Sequence, residues 1–148
     1  MNSLTIDSPI GNLVLDEEDG ALVAIRWAKG EKRNGSPLLA KTARQLEAYF
    51  AGKLSQFDLP LRPAGSDFER RVWTAMQAIP FGKTRFYGEL AADIHSAPRA
   101  VGGACGKNPI PIVIPCHRVL AKTGLGGYSG SGGLRTKQAL LALEEALG

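Results

Sequence analysis

A proline-rich segment, Asn108–Leu120 with the sequence NPIPIVIPCHRVL, constrains the fold of this chain more than any other stretch. Its prolines, at positions 109, 111 and 115, restrict the backbone to extended or turn conformations and remove three N–H donors. A helix and a central β-strand are therefore both excluded here. Because the residues between the prolines are apolar, we predict a stiff, mostly buried strap, Asn108–Pro115, that ends beside the thiol of Cys116.

Cys116 is followed directly by His117 and Arg118. The thiolate is the reacting form of cysteine, and with a pKa of about 8.5 only a few per cent of a free thiol is ionised at neutral pH. A neighbouring histidine and arginine would favour the thiolate. Neighbouring side chains of an extended chain point to opposite sides, so contact between Cys116 and His117 requires a turn or a bridging water. We interpret Cys116 as a nucleophile, with a buried packing cysteine as the alternative.

Positive charge is concentrated in the half of the chain that contains Cys116. Residues 1–60 carry 7 Lys/Arg and 8 Asp/Glu, whereas residues 61–148 carry 11 and 6, so the net charge of +4 lies entirely in the second half. This asymmetry favours a nucleic-acid surface there.

Several classes of protein are excluded by what the sequence lacks. No apolar run reaches membrane-spanning length and the N-terminus lacks a signal-peptide pattern, so we expect a cytoplasmic protein with no membrane partner. Two cysteines, Cys105 and Cys116, indicate no disulfide framework and a reducing compartment. They do not form a zinc-binding set with His95 and His117, and we predict no metal.

The apolar patterns divide the chain into two domains joined by a linker. Residues 1–60 combine alternating short strands with one helical repeat, which predicts a strand-rich α/β domain. Pro60, Pro63 and Gly65 indicate a linker, which we place at 61–66. Residues 67–148 show helical spacing and predict a mostly helical domain. The expected fold class is therefore α+β.

Two short predicted helices, Tyr87–Ile94 and Arg99–Lys107, are separated by a tight turn, which is typical of a helix-turn-helix. The second helix has almost no long polar side chains that could reach base edges in a major groove. Its glycines, Gly102 and Gly103, would permit close approach to a nucleic-acid backbone or a narrow groove. Tight packing of this helix inside the protein explains the glycines equally well at this point.

The C-terminal part adds a glycine-rich loop and a last helix. The loop, KTGLGGYSGSGG at 122–133, lacks the order of a phosphate-binding P-loop, so we predict no cofactor and expect Tyr128 and Ser129 to lie beside a pocket. The predicted helix Leu134–Leu147 carries Glu144 near its end, where a carboxylate gains nothing from the helix dipole. We expect Glu144 to be held for another reason, such as orienting His117.

The PCHRV motif, the helix-turn-helix and the segment RAVGGACGKNPIPI together resemble the O6-alkylguanine-DNA alkyltransferases, also called methylated-DNA–protein-cysteine methyltransferases. The resemblance covers nearly the whole chain. It implies a small N-terminal ribonuclease-H-like α/β domain followed by a mostly helical C-terminal domain with the helix-turn-helix. It implies direct, stoichiometric transfer of a methyl or alkyl group from O6-alkylguanine in DNA to Cys116, with O4-alkylthymine as a further candidate substrate.

The resemblance also implies roles for single residues. Cys116 resembles the alkyl acceptor, His117 the base that ionises it through a water, and Glu144 the carboxylate that orients His117. Asn108 resembles the asparagine that fixes the strap. The residues expected to bind the flipped base are Tyr87, Val119, Tyr128 and Ser129.

The implied partner is double-stranded DNA bound through the minor groove, and we expect the protein to act as a monomer. Arg99 resembles the arginine that takes the place of the extruded base in the stack. The other residues expected to contact DNA are Ala97, Ala100, Gly103, Lys107 and Arg118.

Two other functional classes remain as alternatives. A cysteine-histidine hydrolase or a redox enzyme would need an oxyanion hole or a resolving cysteine, for which Cys105 is the candidate. A non-enzymatic DNA-binding regulator would need base-reading side chains on its recognition helix, and it would have no use for the PCHR motif.

Overall fold

The structure is a computed structural model that describes residues 1–29, 35–128, 130 and 132–147. It divides into two compact units, Met1–Ala64 and Gly65–Gly148. Ser129, one of the residues expected to bind the flipped base, lies outside the described residues. Within the described ranges no helix is both long enough and apolar enough to cross a bilayer.

The first unit is an antiparallel sheet of three strands, β1 (Asn2–Ile6), β2 (Leu13–Glu18) and β3 (Ala21–Trp27), with one helix, α1 (Pro37–Phe50). The strands follow the predicted alternation, and β2 in the centre is buried. Helix α1 begins after Ser36, whose side chain accepts a hydrogen bond from the Leu39 backbone N–H.

Part of the predicted linker belongs to the first unit. The Leu22 N–H donates to the Pro60 carbonyl at 2.8 Å, and the Arg62 N–H donates to the Leu22 carbonyl at 2.9 Å. Residues 60–62 therefore run beside β3, and the division between the units falls after Ala64.

The second unit contains all the residues expected to react or to bind DNA. Its elements, in order, are α2 (Asp67–Gln77), β4 (Arg85–Phe86), α3 (Tyr87–Asp93), α4 (Pro98–Gly106), β5 (Val119–Leu120) and α5 (Leu134–Leu147). Helix α2 starts with a capping box between Ser66 and Glu69. Helices α3 and α4 form the predicted helix-turn-helix, and the Trp73 indole N–H ties α2 to α4 through the Ala104 carbonyl at 2.8 Å.

Two contacts between distant segments shape the site. Strands β4 and β5 pair in parallel, with Arg85 opposite Val119, so the start of α3 lies beside the residues that follow Cys116. The strap is buried from Ile110 onwards, as its composition predicts. It turns sharply at Ile112, whose φ is +74°.

A single 3-10 turn, Cys116–Arg118, follows the strap. The exclusion of a helix is therefore wrong for these three residues. The prolines restrict the chain only as far as Pro115, after which the Arg118 N–H can donate to the Pro115 carbonyl at 3.0 Å. This turn separates the directions of the Cys116, His117 and Arg118 side chains.

Candidate active site

Asn108 fixes the shape of the strap from its N-terminal end. Its Nδ2 donates to the Ile114 carbonyl at 2.8 Å, and its Oδ1 accepts from the Ile110 N–H at 3.0 Å. These bonds partner two backbone groups of a buried segment, where water cannot. The Asn108 side chain also acts on Cys116, since it lowers the pKa of the thiol.

Cys116 lies at a cavity of about 460 Å³. The residues that line the cavity are Tyr87, Gly102, Cys105, Gly106, Cys116, Gly127 and Tyr128. Burial raises the pKa of the Cys116 thiol, against the opposing effects of the Asn108 side chain and the Lys137 charge. Desolvation outweighs these opposing effects, so ionisation of Cys116 requires a base that removes its proton.

His117 is suited to the role of that base by its burial and by one ring nitrogen, Nδ1, that could accept a proton. It is fully buried, and its Nε2 lies 2.5 Å from Glu144 Oε2. A neutral imidazole with Nε2 against a carboxylate carries its proton on Nε2, which leaves Nδ1 as an acceptor. Nδ1 has no hydrogen-bond partner among the described residues. Buried nitrogens normally have one, so a bridging water to the adjacent thiol would complete the arrangement.

The charge state of His117 follows from its surroundings. Burial lowers the pKa of the His117 imidazole, the carboxylate of Glu144 raises it, and the charges of Arg118 and Lys137 lower it again. The net direction is downward. His117 is therefore neutral at physiological pH and able to accept a proton.

Arg118 lies in the core rather than on the DNA-facing surface, so the expectation that it contacts DNA is wrong. Only 6% of the residue is exposed. Its Nε and Nη2 donate to the two oxygens of Glu144 at 2.8 and 3.0 Å, and its Nη1 donates to the Ile79 carbonyl at 2.8 Å. A buried guanidinium that is bonded through all three nitrogens cannot reach a phosphate.

Lys137 is a site residue that the sequence reasoning missed. It is fully buried, and its Nζ donates to the Val119 carbonyl at 2.6 Å and the Gly127 carbonyl at 3.0 Å. The ammonium also lies 5.8 Å from the centre of the Tyr87 ring. Lys137 stands seven residues before Glu144, which places both on one face of α5. That spacing is the one signal that could have identified it.

Tyr87 and Cys105 face the cavity in their protonated forms. Burial and the two thiols raise the pKa of Tyr87 to about 12, so its hydroxyl remains a hydrogen-bond donor. Burial raises the pKa of Cys105 to about 12 as well, and its Sγ lies 3.4 Å from Met76 Sδ. A resolving cysteine must form a thiolate, so these surroundings argue against the redox alternative.

Tyr128 borders the same cavity, and burial raises the pKa of its hydroxyl. Val119 follows the 3-10 turn, with its carbonyl already accepting from Lys137. Of the residues expected to bind the flipped base, the structure therefore brings Tyr87, Val119 and Tyr128 to the surroundings of Cys116.

Helix α4 presents a surface of small, exposed residues between two cations. The expected DNA contacts that are exposed on α4 are Arg99, Ala100 and Gly103, and Ala97 and Lys107 are exposed at its two ends. A Cβ atom added to Gly102 or Gly103 would meet nothing within 4 Å. Packing inside the described part of the chain therefore gives no reason for these glycines, and close approach by an external partner becomes the better explanation.

Comparisons with known proteins agree with this arrangement. Residues 67–146 match the family model described as the 6-O-methylguanine DNA methyltransferase DNA-binding domain, and residues 3–63 match its ribonuclease-like domain. The second match confirms the predicted fold of the N-terminal domain.

Curated relatives include two named methylated-DNA–protein-cysteine methyltransferase. The one from Mycolicibacterium paratuberculosis is 48% identical over 95% of this chain and 90% of its own length, and the one from Methanosarcina barkeri is 47% identical over 95% and 94%. The crystal structure of the Mycobacterium tuberculosis protein in complex with DNA superposes with a TM-score of 0.89 at 44% identity, covering 100% of this chain and 95% of that one. The chain therefore belongs to the 6-O-methylguanine DNA methyltransferase family.

Proposed function

We propose that this protein repairs O6-alkylguanine in double-stranded DNA by moving the alkyl group to Cys116. One observation carries the proposal: Cys116 lines a cavity, and the next residue, His117, is buried and paired with Glu144, in the unit that matches a DNA-binding domain. A buried thiol with a neutral base is suited to in-line attack on an alkyl carbon.

The transfer forms a sulfur–carbon bond and breaks the bond between that carbon and O6 of guanine. The thiol proton passes to His117 Nδ1, through a bridging water. The departing guanine takes up a proton, for which the Tyr87 hydroxyl is the donor. His117 then returns a proton to Tyr87 through solvent. The products are S-alkylcysteine and guanine, and the net change is the movement of one proton from the thiol to guanine.

Lys137 supports this step electrostatically and structurally. Its positive charge favours the thiolate of Cys116. It also holds the Val119 carbonyl at 2.6 Å. A carbonyl oxygen has two lone pairs, so Val119 can still accept from the exocyclic amine of guanine. Ser129, which the resemblance assigns to the same pocket, stays a prediction.

DNA binding is proposed to use the minor groove and the exposed face of α4. The small residues Ala97, Ala100 and Gly103 allow the helix to approach the duplex closely, and Lys107 is placed to meet a phosphate. Extruding the damaged nucleotide costs a few kcal/mol of stacking energy, and the side chain of Arg99 would offset part of that cost by filling the gap.

The product is a thioether that no group in the described site can displace, so each molecule should act once. We would titrate duplex DNA containing O6-methylguanine against a known amount of protein and follow intact mass. The expected result is one methyl group per molecule, mapped to Cys116, with transfer lost in Cys116→Ser while DNA binding persists. Several lesions repaired per molecule, or a methyl group on another residue, would contradict the proposal.

A further inference from the structure

Arg118 is a buried cation that shares the Glu144 carboxylate with His117. We infer that Arg118 is a positioning residue for the transfer: it fixes the Glu144 carboxylate and balances its charge, so that His117 stays an uncharged base. This inference rests on the proposed function, in which His117 receives the thiol proton.

The geometry shows that Arg118 determines where the carboxylate lies. Its guanidinium donates to both Glu144 oxygens in a fork, at 2.8 and 3.0 Å, while its third nitrogen is anchored on the Ile79 carbonyl at 2.8 Å. Such two-point pairing fixes the plane of a carboxylate as well as its position. His117 Nε2 then meets Oε2 at 2.5 Å. Arg118 thus links the backbone at Ile79, just after α2, to the Glu144 carboxylate that orients the imidazole.

The charges lead to the same conclusion. Glu144 is only 1% exposed, so its charge must be balanced by a nearby group rather than by water. Arg118 supplies that balance, which leaves no need for an imidazolium. If Arg118 were neutral, the group in contact with the carboxylate that could gain a charge would be His117 itself. Protonation of His117 would occupy Nδ1, and the base would be lost.

Of the other groups near His117, Lys137 also disfavours the imidazolium, and the rest carry no charge. Lys137, on the same helix as Glu144, disfavours a second positive charge nearby, and the pKa of His117 is lowered by both cations. Cys116 remains a thiol because burial raises its pKa. The Gly82 N–H, at 3.4 Å from Glu144 Oε1, contributes a weak hydrogen bond without a charge.

The test reads the charge of His117 directly, by nitrogen-15 NMR of its ring in the DNA-free protein between pH 5 and 9. In the wild type we expect a neutral ring protonated on Nε2 at pH 7. In Arg118→Met we expect an imidazolium at pH 7, a transfer rate at pH 7 lowered roughly tenfold or more, and recovery of the rate as pH rises. Removing one partner of a buried pair is strongly destabilising, so two further variants are needed.

Arg118→Lys keeps the charge but loses the fork, and the double variant Arg118→Met/Glu144→Gln removes both charges together. Both should return His117 to the neutral form, and the double variant should restore the pH at which the transfer rate rises. An imidazolium in the wild type or in either of these variants would overturn the inference, as would a neutral ring in a folded Arg118→Met. Because the NMR signal needs no alkyl transfer, a failure of the inference is distinguishable from a wild type that accepts no methyl group.

Discussion

Replacing Gly126 with alanine should displace Tyr87 and thereby slow alkyl transfer. Gly126 has a φ of +74°, and a Cβ atom there would lie 2.9 Å from Tyr87 Cε2, 3.1 Å from the Tyr87 hydroxyl oxygen and 3.3 Å from the Ala121 nitrogen. Carbon atoms in ordinary contact are separated by about 3.5–4.0 Å. The aromatic ring must therefore move by about 0.6–1 Å, because the opposite neighbour is backbone.

The size of the effect follows from these distances. A left-handed conformation costs an alanine about 1–2 kcal/mol, and overpacking a filled site typically costs about 1–3 kcal/mol. We expect the free energy of unfolding to fall by about 2–5 kcal/mol. A misplacement of about 1 Å can lower a rate by about 100-fold, and Tyr87 is the proposed proton donor to guanine. We therefore expect a single-turnover transfer rate lower by about that factor.

The assay combines urea unfolding with intact-mass kinetics on duplex DNA containing O6-methylguanine. Gly124→Ala is the matched control, because a Cβ atom there meets nothing within 4 Å and its φ is not left-handed. The control should transfer at the wild-type rate and be no less stable. If Gly126→Ala is less stable but transfers the alkyl group at the wild-type rate, transfer does not depend on the position of Tyr87. If its stability is unchanged, the added Cβ atom does not clash with the Tyr87 ring.

Three further predictions concern charge. Lys137→Met should slow alkyl transfer from DNA to Cys116 by about 10- to 100-fold. The thiolate loses a nearby cation, and the Val119 and Gly127 carbonyls lose their donor. Single-turnover kinetics would measure the rate, and an unchanged rate would remove Lys137 from the mechanism. Burial lowers the pKa of His117 below its ordinary value, so at low pH the unfolded chain binds a proton that the folded protein does not. The free energy of unfolding should therefore decrease as pH falls from about 7 to 5, by at most about 1.4 kcal/mol per pH unit. Urea unfolding would show this decrease in the wild type and a weaker one in His117→Gln; equal slopes would contradict it. Lys107, whose side chain is 74% exposed, should contact a phosphate. Lys107→Gln should therefore make the slope of log K against log salt concentration shallower by about 0.9. DNA titrations at several salt concentrations would measure the slope, and an unaltered slope would contradict the contact.

The sequence alone was sufficient for the features that depend on neighbouring residues. Alternation predicts the three strands, and helical spacing predicts helices in the regions of α1 and α2, whose first turns the structure caps with Ser36 and Ser66. The prolines predict a stiff, buried strap because they act on the local backbone. The order Pro-Cys-His-Arg makes Cys116 the candidate nucleophile for the same reason, since those residues are adjacent in the chain.

Only the tertiary structure decided which charged groups leave water. Arg118 and Lys137 look like surface cations in the sequence, yet both are buried, because the end of α2 and one face of α5 close over the turn after the strap. Glu144 reaches His117 across 27 positions of the chain. Burial and distant partners set the charge of each group, and neither can be read from the residues next to it. Local patterns therefore single out the thiol, whereas packing between distant segments sets the charged groups around it.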